Sequence, residues 1–314
     1  MSGGPAGLAG ARVLVTGASG FIGRALCRRL LDLDAQVWGA ARRSAAPFEG
    51  FDGFSTGDLA SPGAARALFE VARPEVVFHL ASQVSGSREP AAVLPTFQGN
   101  LASTVSLLVA AQEAGCRRLV LAGSMEEPEP GEEAPPVPAS PYAAAKGAAS
   151  AYSRMFHALY GTPVVTARLF MVYGPGQRDL AKLVPYVILS LLRGERPRLG
   201  PGRRPIDWIY VDDVVRGLVA LATAPGIEGE RLDLGSGALV AVREVVERLA
   251  DQMRPEAELG FGDRPERPLE VVRRADVTAT RRRIGWSPEV SLGEGLRRTV
   301  EWYREALATG TIRG

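Results

Sequence analysis

The segment Arg12-Val-Leu-Val-Thr-Gly-Ala-Ser-Gly-Phe-Ile-Gly23 decides the fold class. Val13 to Thr16 is an apolar, β-branched run halted by glycine. From Phe21 to Leu33 the apolar residues Phe21, Ile22, Ala25, Leu26 and Leu30 recur at helical spacing. The order is therefore strand, tight loop, helix. Gly17 suits the tight turn, Gly20 lets the main chain approach a bulky anion, and Gly23 allows the helix to pack closely. The N–H groups around Ser19, Gly20, Phe21 and Ile22, aided by the helix dipole, favour a pyrophosphate, so the loop reads as a dinucleotide site. Its spacing is G-x-x-G-x-x-G rather than the commoner G-x-G-x-x-G.

The same alternation continues outward. Gln36 to Ala40, Val76 to Leu80, Arg118 to Ala122 and Val164 to Leu169 read as strands; Pro62 to Ala72, Leu101 to Glu113 and Pro141 to Tyr160 read as helices. Apolar strands alternating with helices predict an α/β fold, a doubly wound parallel sheet of Rossmann type with ligands at the carboxyl ends of its strands. The rhythm changes after Tyr173. Helices near Leu183 to Leu192, Asp212 to Ala222, Val242 to Met253 and Leu292 to Ala308 alternate with Arg/Pro/Gly-rich loops and a strand at Arg231 to Leu234. The expected division is a cofactor-binding domain over 1–173 and a smaller substrate-binding domain over 174–314, with segments returning to the sheet. The Pro/Glu-rich stretch from Glu126 to Pro141 reads as a loop, positioned as a lid.

Composition narrows the function. With 314 residues, 46% of them hydrophobic, and a net charge of +2, the chain is neither disordered nor cationic enough to suggest a nucleic-acid partner. No apolar stretch reaches the roughly 18 residues of a membrane span, and the first residues lack a signal-peptide pattern, so a cytoplasmic protein is expected. Cys27 and Cys116 read as buried thiols, and no metal-ligand spacing is present, His79 and His157 being read as structural. Lysine occurs only at Lys146 and Lys182, so every other basic residue is arginine. A retained lysine thus hints that its particular chemistry matters.

Two further signals concern chemistry. The second strand ends in Val37-Trp-Gly-Ala-Ala-Arg-Arg-Ser44, with Arg42 and Arg43 where a carboxylate would bind a ribose hydroxyl. A guanidinium pair suits a 2′-phosphate, which favours NADP(H), with NAD(H) the alternative. Asp58, followed by Leu59, is placed to reach the adenine. Tyr142 and Lys146 form Y-x-x-x-K, and four residues apart on a helix they share one face. An adjacent ammonium and an oxidised nicotinamide are expected to lower the phenol's pKa into a usable range.

Taken together, Val13 to Gly23, Val77-Phe-His-Leu-Ala-Ser82, Pro141-Tyr-Ala-Ala-Ala-Lys146, Arg168 to Pro175, Trp208 to Val215 and Ile284-Gly-Trp286 resemble the extended short-chain dehydrogenase/reductases, in particular the nucleotide-sugar epimerase/dehydratase group. The resemblance covers about residues 11–306. It implies a third catalytic member, Ser124, bonded to the reacting oxygen. It also places Leu80, Ala81 and Ser82 along the cofactor with Asn100 nearby, and Gln83, Met125, Arg203, Arg204 and Arg267 toward the substrate. A homodimer packed through the Ala-rich helix and its neighbour is implied as well.

Within that resemblance, Met125 stands where sugar 4,6-dehydratases carry a general acid and cannot donate a proton. Gly-Ser-Met-Glu-Glu127 is more similar to the corresponding string of nucleotide-sugar 4-ketoreductases. The expectation is therefore reduction of a 4-keto sugar with Tyr142 as acid, Ser124 orienting the carbonyl and Glu126 holding substrate or acting as a base. The alternative is a C4 epimerase using the same triad twice. A non-catalytic cofactor-binding protein is a further alternative, which the intact triad disfavours. Met171 and Ile206 stand where the group usually has Asn and Arg to bind a nucleotide diphosphate, leaving that task to Arg203, Arg204 and Arg267.

Overall fold

The computed structural model describes residues 7–43, 48–129, 137–253, 258–265 and 269–312. In chain order the elements are β1 (Arg12–Thr16), α1 (Phe21–Leu31), β2 (Gln36–Ala41), β3 (Gly53–Thr56), α2 (Pro62–Ala72), β4 (Val76–His79), α3 (Val93–Thr96), α4 (Ser103–Ala114), β5 (Arg118–Ser124), α5 (Pro141–Tyr160) and β6 (Val164–Leu169). There follow β7 (Met171–Tyr173), α6 (Leu183–Leu192), β8 (Arg198–Leu199), β9 (Pro205–Tyr210), α7 (Val211–Thr223), β10 (Arg231–Leu234), β11 (Leu239–Ala241), α8 (Val242–Met253), β12 (Gly260–Phe261), α9 (Val277–Ile284) and α10 (Leu292–Ala308). They form two compact units, one of residues 1–169, 215–233 and 278–286, the other of 170–214, 234–277 and 287–314.

The first unit is built on a seven-stranded sheet in the order β10-β6-β5-β4-β1-β2-β3. Strands β1 to β6 pair in parallel, with Val13 opposite Val37 on one side and Val76 on the other. Every residue of β4 is buried, as expected of a strand covered on both faces. The order reverses beside β1, so the carboxyl ends of β1 and β4 open the crevice in which such sheets bind ligands. On one face Leu68 and Phe69 of α2, Leu107 and Leu108 of α4, and Phe156 of α5 pack with Leu14, Val77 and Leu119 of the sheet.

Two local features set up the site. Helix α5 starts sharply because Pro141 occupies its first turn and the Ser140 side chain accepts from the Ala143 N–H at 3.1 Å. Ahead of α4, residues Phe97–Ala102 form a π-helical turn, a device that re-aims side chains. It joins α3 and α4 into a helical run, Pro90–Ala114, in which an 18-residue window reaches a mean hydropathy of 1.2, long and apolar enough by length and composition alone to cross a membrane. The sequence expectation of no such stretch is thereby corrected: Pro90 and the polar residues around Asn100 broke the run in the one-dimensional reading. Leu107, Leu108, Ala110 and Ala111 of this run are core residues of the sheet's flank.

The second unit contains a three-stranded sheet, β11-β9-β7, and the two-stranded pair β12-β8. Strand β9 runs parallel to β7 and antiparallel to β11. Asp207, fully buried in β9, accepts from the Ser236 N–H (2.6 Å), the Ser236 hydroxyl (2.8 Å), the Gly237 N–H (2.9 Å) and the Ala275 N–H (3.0 Å). A buried carboxylate is tolerated only when saturated in this way. Asp207→Ala should therefore lower the unfolding free energy by at least about 3 kcal/mol. Urea denaturation checks this, and a loss well under 1 kcal/mol contradicts it.

Candidate active site

The glycine loop has the shape its sequence implied. Gly17 adopts φ +72°, and a Cβ there would lie 2.8 Å from the Ala81 nitrogen at the end of β4. A Cβ on Gly23 would lie 2.1 Å from the Gly17 carbonyl oxygen, so the first turn of α1 is laid directly on the loop. Helix α1 begins with no side-chain cap and no acidic residue in its first turn. Backbone N–H groups and the positive end of the dipole are thus left for an anion, and this tight glycine cradle fits the pyrophosphate of a dinucleotide. Ser19, Phe21 and Ile22 are half-buried along it.

At the end of β2 the Arg42 guanidinium donates to the Gln83 Oε1 at 2.8 Å, while Arg43 is exposed. Asp58 is exposed and accepts from the Ala60 N–H at 3.0 Å, and Leu59 leans on the core. Beyond β4, the Leu80 and Ala81 N–H groups bond to the Thr16 carbonyl and hydroxyl oxygens. Asn100, buried in the π turn, accepts from the Ser82 hydroxyl (2.9 Å) and the Gln83 N–H (2.6 Å) and donates to the Gln83 carbonyl (3.2 Å). Ser82 and Gln83 are thus held by one amide side chain.

Ser124, Tyr142 and Lys146 come together at the carboxyl end of β5. Ser124 and Ser82 lie near enough to the Tyr142 hydroxyl to draw its pKa down. Lys146 is buried, with its Nζ 5.9 Å from the Tyr142 ring centre, and donates to the Ala122 carbonyl at 2.7 Å. Burial pulls the ammonium down to about 8, partly opposed by the Glu127 carboxylate. Burial pushes the phenol up to about 12; the nearby Ser124 and Ser82 hydroxyls pull downward, and Glu126 and Glu127 push it further up. Desolvation outweighs what a neighbouring ammonium was expected to do, and Tyr142 rests as the protonated phenol.

The sequence did not single out Glu127, whose buried carboxylate takes the Ser124 N–H at 2.6 Å. Nor did it place Ser82 against the phenol. Glu126, the acid it favoured, is half-buried, and its N–H donates to the Ser124 Oγ at 3.2 Å. Met125 is buried and its N–H donates to the Leu169 carbonyl at 2.9 Å. His79 is buried between the hydroxyls of Thr16 (2.7 Å) and Thr104 (3.1 Å), and burial, then the Lys146 charge, lowers it to about 3. His157 bonds to the Thr162 carbonyl.

In the second unit Arg204 donates to the Val271 carbonyl at 2.7 Å and pairs with Glu270, whereas Arg203 is exposed. Arg267 and residues 130–136 of the expected lid lie outside the described residues. Met171 on β7 and buried Ile206 on β9 belong to one three-stranded sheet. Among the described residues, no group of three His, Cys, Asp or Glu side chains is placed to hold a metal ion.

Comparison with known proteins agrees with this fold. The profile of the NAD dependent epimerase/dehydratase family matches residues 13–235. A UDP-glucose 4-epimerase of Mycolicibacterium smegmatis is 36% identical over 93% of this chain and 98% of its own. A probable dTDP-glucose 4,6-dehydratase of Sinorhizobium fredii is 32% identical over 94% and 93%. Among solved structures, the UDP-glucose 4-epimerase of Thermotoga maritima with UDP-glucose superposes with a TM-score of 0.84 at 28% identity, covering 94% of this chain and 99% of that one.

The neutral His79 has a measurable consequence. Its pKa in the folded protein, about 3, lies below the roughly 6.5 of an unfolded chain, so between these values the unfolded state binds the extra proton. Its contribution to stability is complete above about pH 6.5 and is lost as pH falls below that, by up to about 1.4 kcal/mol per pH unit. Unfolding free energies measured from pH 7 to 5 should fall more steeply for the wild type than for His79→Gln. Equal slopes contradict the assignment.

Proposed function

We propose, on the premise that the chain belongs to the NAD dependent epimerase/dehydratase family, that it is a nucleotide-sugar 4-epimerase working through Tyr142, Ser124 and Lys146. The observation that carries this reading is the gathering of Ser124, Tyr142 and the buried Lys146 at the carboxyl end of β5, with the Lys146 Nζ 5.9 Å from the Tyr142 ring centre and anchored on the Ala122 carbonyl. The 36% identity to a UDP-glucose 4-epimerase along nearly the whole of both chains supports epimerisation. Dehydration is disfavoured because Met125 offers no proton where an acid is needed.

Gly17, Gly20, Gly23 and the start of α1 would hold the cofactor's pyrophosphate, with Ala81 and Ser82 beside it. When bound, the nicotinamide accepts and returns a hydride and, oxidised, adds the positive charge that lowers the phenol's pKa. Tyr142 takes the proton of the sugar C4 hydroxyl as C4 loses its hydrogen, and returns it to the same oxygen after the keto sugar presents its other face. The Ser124 hydroxyl donates to that oxygen and fixes its position. Lys146, anchored on the Ala122 carbonyl, keeps a cation beside the developing phenolate.

A second reading is one-way reduction of a 4-keto sugar by NADPH. It is favoured by Arg42 and Arg43 at an acid-free β2 end and by a resting phenol that is already a proton donor. Either activity is compatible with a homodimer, proposed here from the apolar Leu94, Phe97 and Tyr152, exposed on α3, the π turn and α5.

An epimerase interconverts UDP-glucose and UDP-galactose with a catalytic amount of NAD+, followed by separation of the two sugars. A ketoreductase instead consumes NADPH stoichiometrically with a nucleotide-linked 4-keto sugar. Neither activity across a panel of nucleotide sugars overturns both readings. Tyr142→Phe should reduce turnover at least about a hundredfold while NAD+ affinity, measured by calorimetry, stays within a few-fold; near-normal turnover contradicts the mechanism.

A further inference from the structure

Glu127 is among the least exposed carboxylates of the first unit, at 1% exposure, although it follows a half-buried glutamate in a Pro/Glu-rich stretch. One oxygen, Oε1, accepts from the Ser124 N–H at 2.6 Å, and Oε2 accepts from the Ser150 hydroxyl at 2.7 Å. Ser150 lies four residues beyond Lys146 and eight beyond Tyr142 on α5, so the carboxylate bridges the serine end of β5 to the helix that carries the other two members of the triad. Room for it exists because residue 123 is glycine: a Cβ there would lie 2.7 Å from Oε1. Burying a carboxylate costs several kcal/mol unless donors and cations surround it. Such a group is an expensive way to make two hydrogen bonds that a neutral amide could also make.

We infer that Glu127 is a positioning residue of this centre: its buried carboxylate clamps β5 to α5 and supplies a fixed negative charge facing the Tyr142–Lys146 pair. The inference rests on the active-site reading above. The charges around the clamp come from several elements. Helix α5 contributes Tyr142, Lys146 and, further along, Arg154; β10 contributes Arg231, 3.9 Å from Oε2, and Asp233; β6 contributes Arg168. The loop after β5 contributes Glu126 and Glu129, and β4 contributes His79, which is neutral. Arg231 pairs with Glu129 at 2.7 Å, and Arg168 is shared by Glu129 and Asp233, the latter at 2.7 Å. Glu127 thus faces two cations, Arg231 at 3.9 Å, which it shares with Glu129, and Lys146, whose charge it favours. It opposes the effect of burial on Lys146, and on the phenol it adds to the upward push made first by burial and then by Glu126. Removing the charge should lower both.

Two substitutions separate the charge from the clamp. Glu127→Gln can keep both hydrogen bonds, its carbonyl accepting from Ser124 and its amide donating to Ser150, while losing the charge. Glu127→Asp keeps the charge but is one methylene too short to span both partners. The full-length protein saturated with NAD+ is titrated by ultraviolet difference absorbance, with Tyr142→Phe identifying the Tyr142 transition, and amide exchange is followed over residues 123–127. Glu127→Gln should move the Tyr142 transition to lower pH with little change in exchange. Glu127→Asp should leave the transition in place and accelerate exchange. An unmoved transition in Glu127→Gln, or unchanged exchange in Glu127→Asp, overturns the inference. If Glu127→Gln does not fold, Ser150→Ala, which removes one hydroxyl and no charge, must accelerate exchange over 123–127, and unchanged exchange again overturns it. A wild-type NAD+ complex with no transition that Tyr142→Phe abolishes would instead contradict the active-site reading, while the exchange measurements would still decide the clamp.

Discussion

The first unit is organised around a cation kept where charge is costly. Lys146 is buried, bound to the Ala122 carbonyl, and flanked by the Tyr142 phenol. A second cation directly behind that ammonium would be disfavoured. His79, between two threonine hydroxyls, is neutral, first because it is buried and then because of the Lys146 charge. The ammonium also requires a negative partner that cannot escape to solvent, and Glu127 is tied down by Ser124, Ser150 and the proximity of Arg231. The rest of the catalytic geometry follows from satisfying that one charge.

The same constraint explains why a parallel sheet suits this chemistry. The carboxyl ends of β1, β4 and β5 bring the glycine cradle, Ser82 and Ser124 to one edge, while α5 lays Tyr142, Lys146 and Ser150 along a single face. No loop has to hold the reacting groups unaided. Asn100 does for the β4 end what Glu127 does for the β5 end: one buried side chain bonded to both backbone and hydroxyl.

Local rules were enough to read the glycine loop and the Tyr-Lys helix, because both encode their geometry within a few residues: a positive φ at Gly17, contact at Gly23, an i to i+4 pair on α5. The other strands and helices up to Leu169 were legible for the same reason, apart from β3, α3 and the π turn. Strands β7, β8, β9, β11 and β12 were not, because they are two to six residues long and β9 carries an aspartate at its centre. Asp207 makes sense only with donors from residues 236, 237 and 275, which no local window contains. Glu127 was overlooked in favour of Glu126 because the Pro/Glu run reads as a solvated loop, and only the glycine at 123 hints at a carboxylate folded beneath the strand. The burial that raises the phenol's pKa was not legible either, because sequence shows a neighbouring lysine but not the desolvation that opposes it.

The account turns on a phenol that is protonated at rest and becomes a base when an oxidised nicotinamide lies beside it. By linkage, a ligand that lowers a pKa from about 12 toward neutrality must release a proton when it binds at intermediate pH. Calorimetry of NAD+ binding at pH 9, in buffers of different ionisation enthalpy, measures that proton directly. Release approaching one proton per NAD+ in the wild type, abolished in Tyr142→Phe, is the predicted result. NAD+ binding without proton release, or with the same release in Tyr142→Phe, would contradict it.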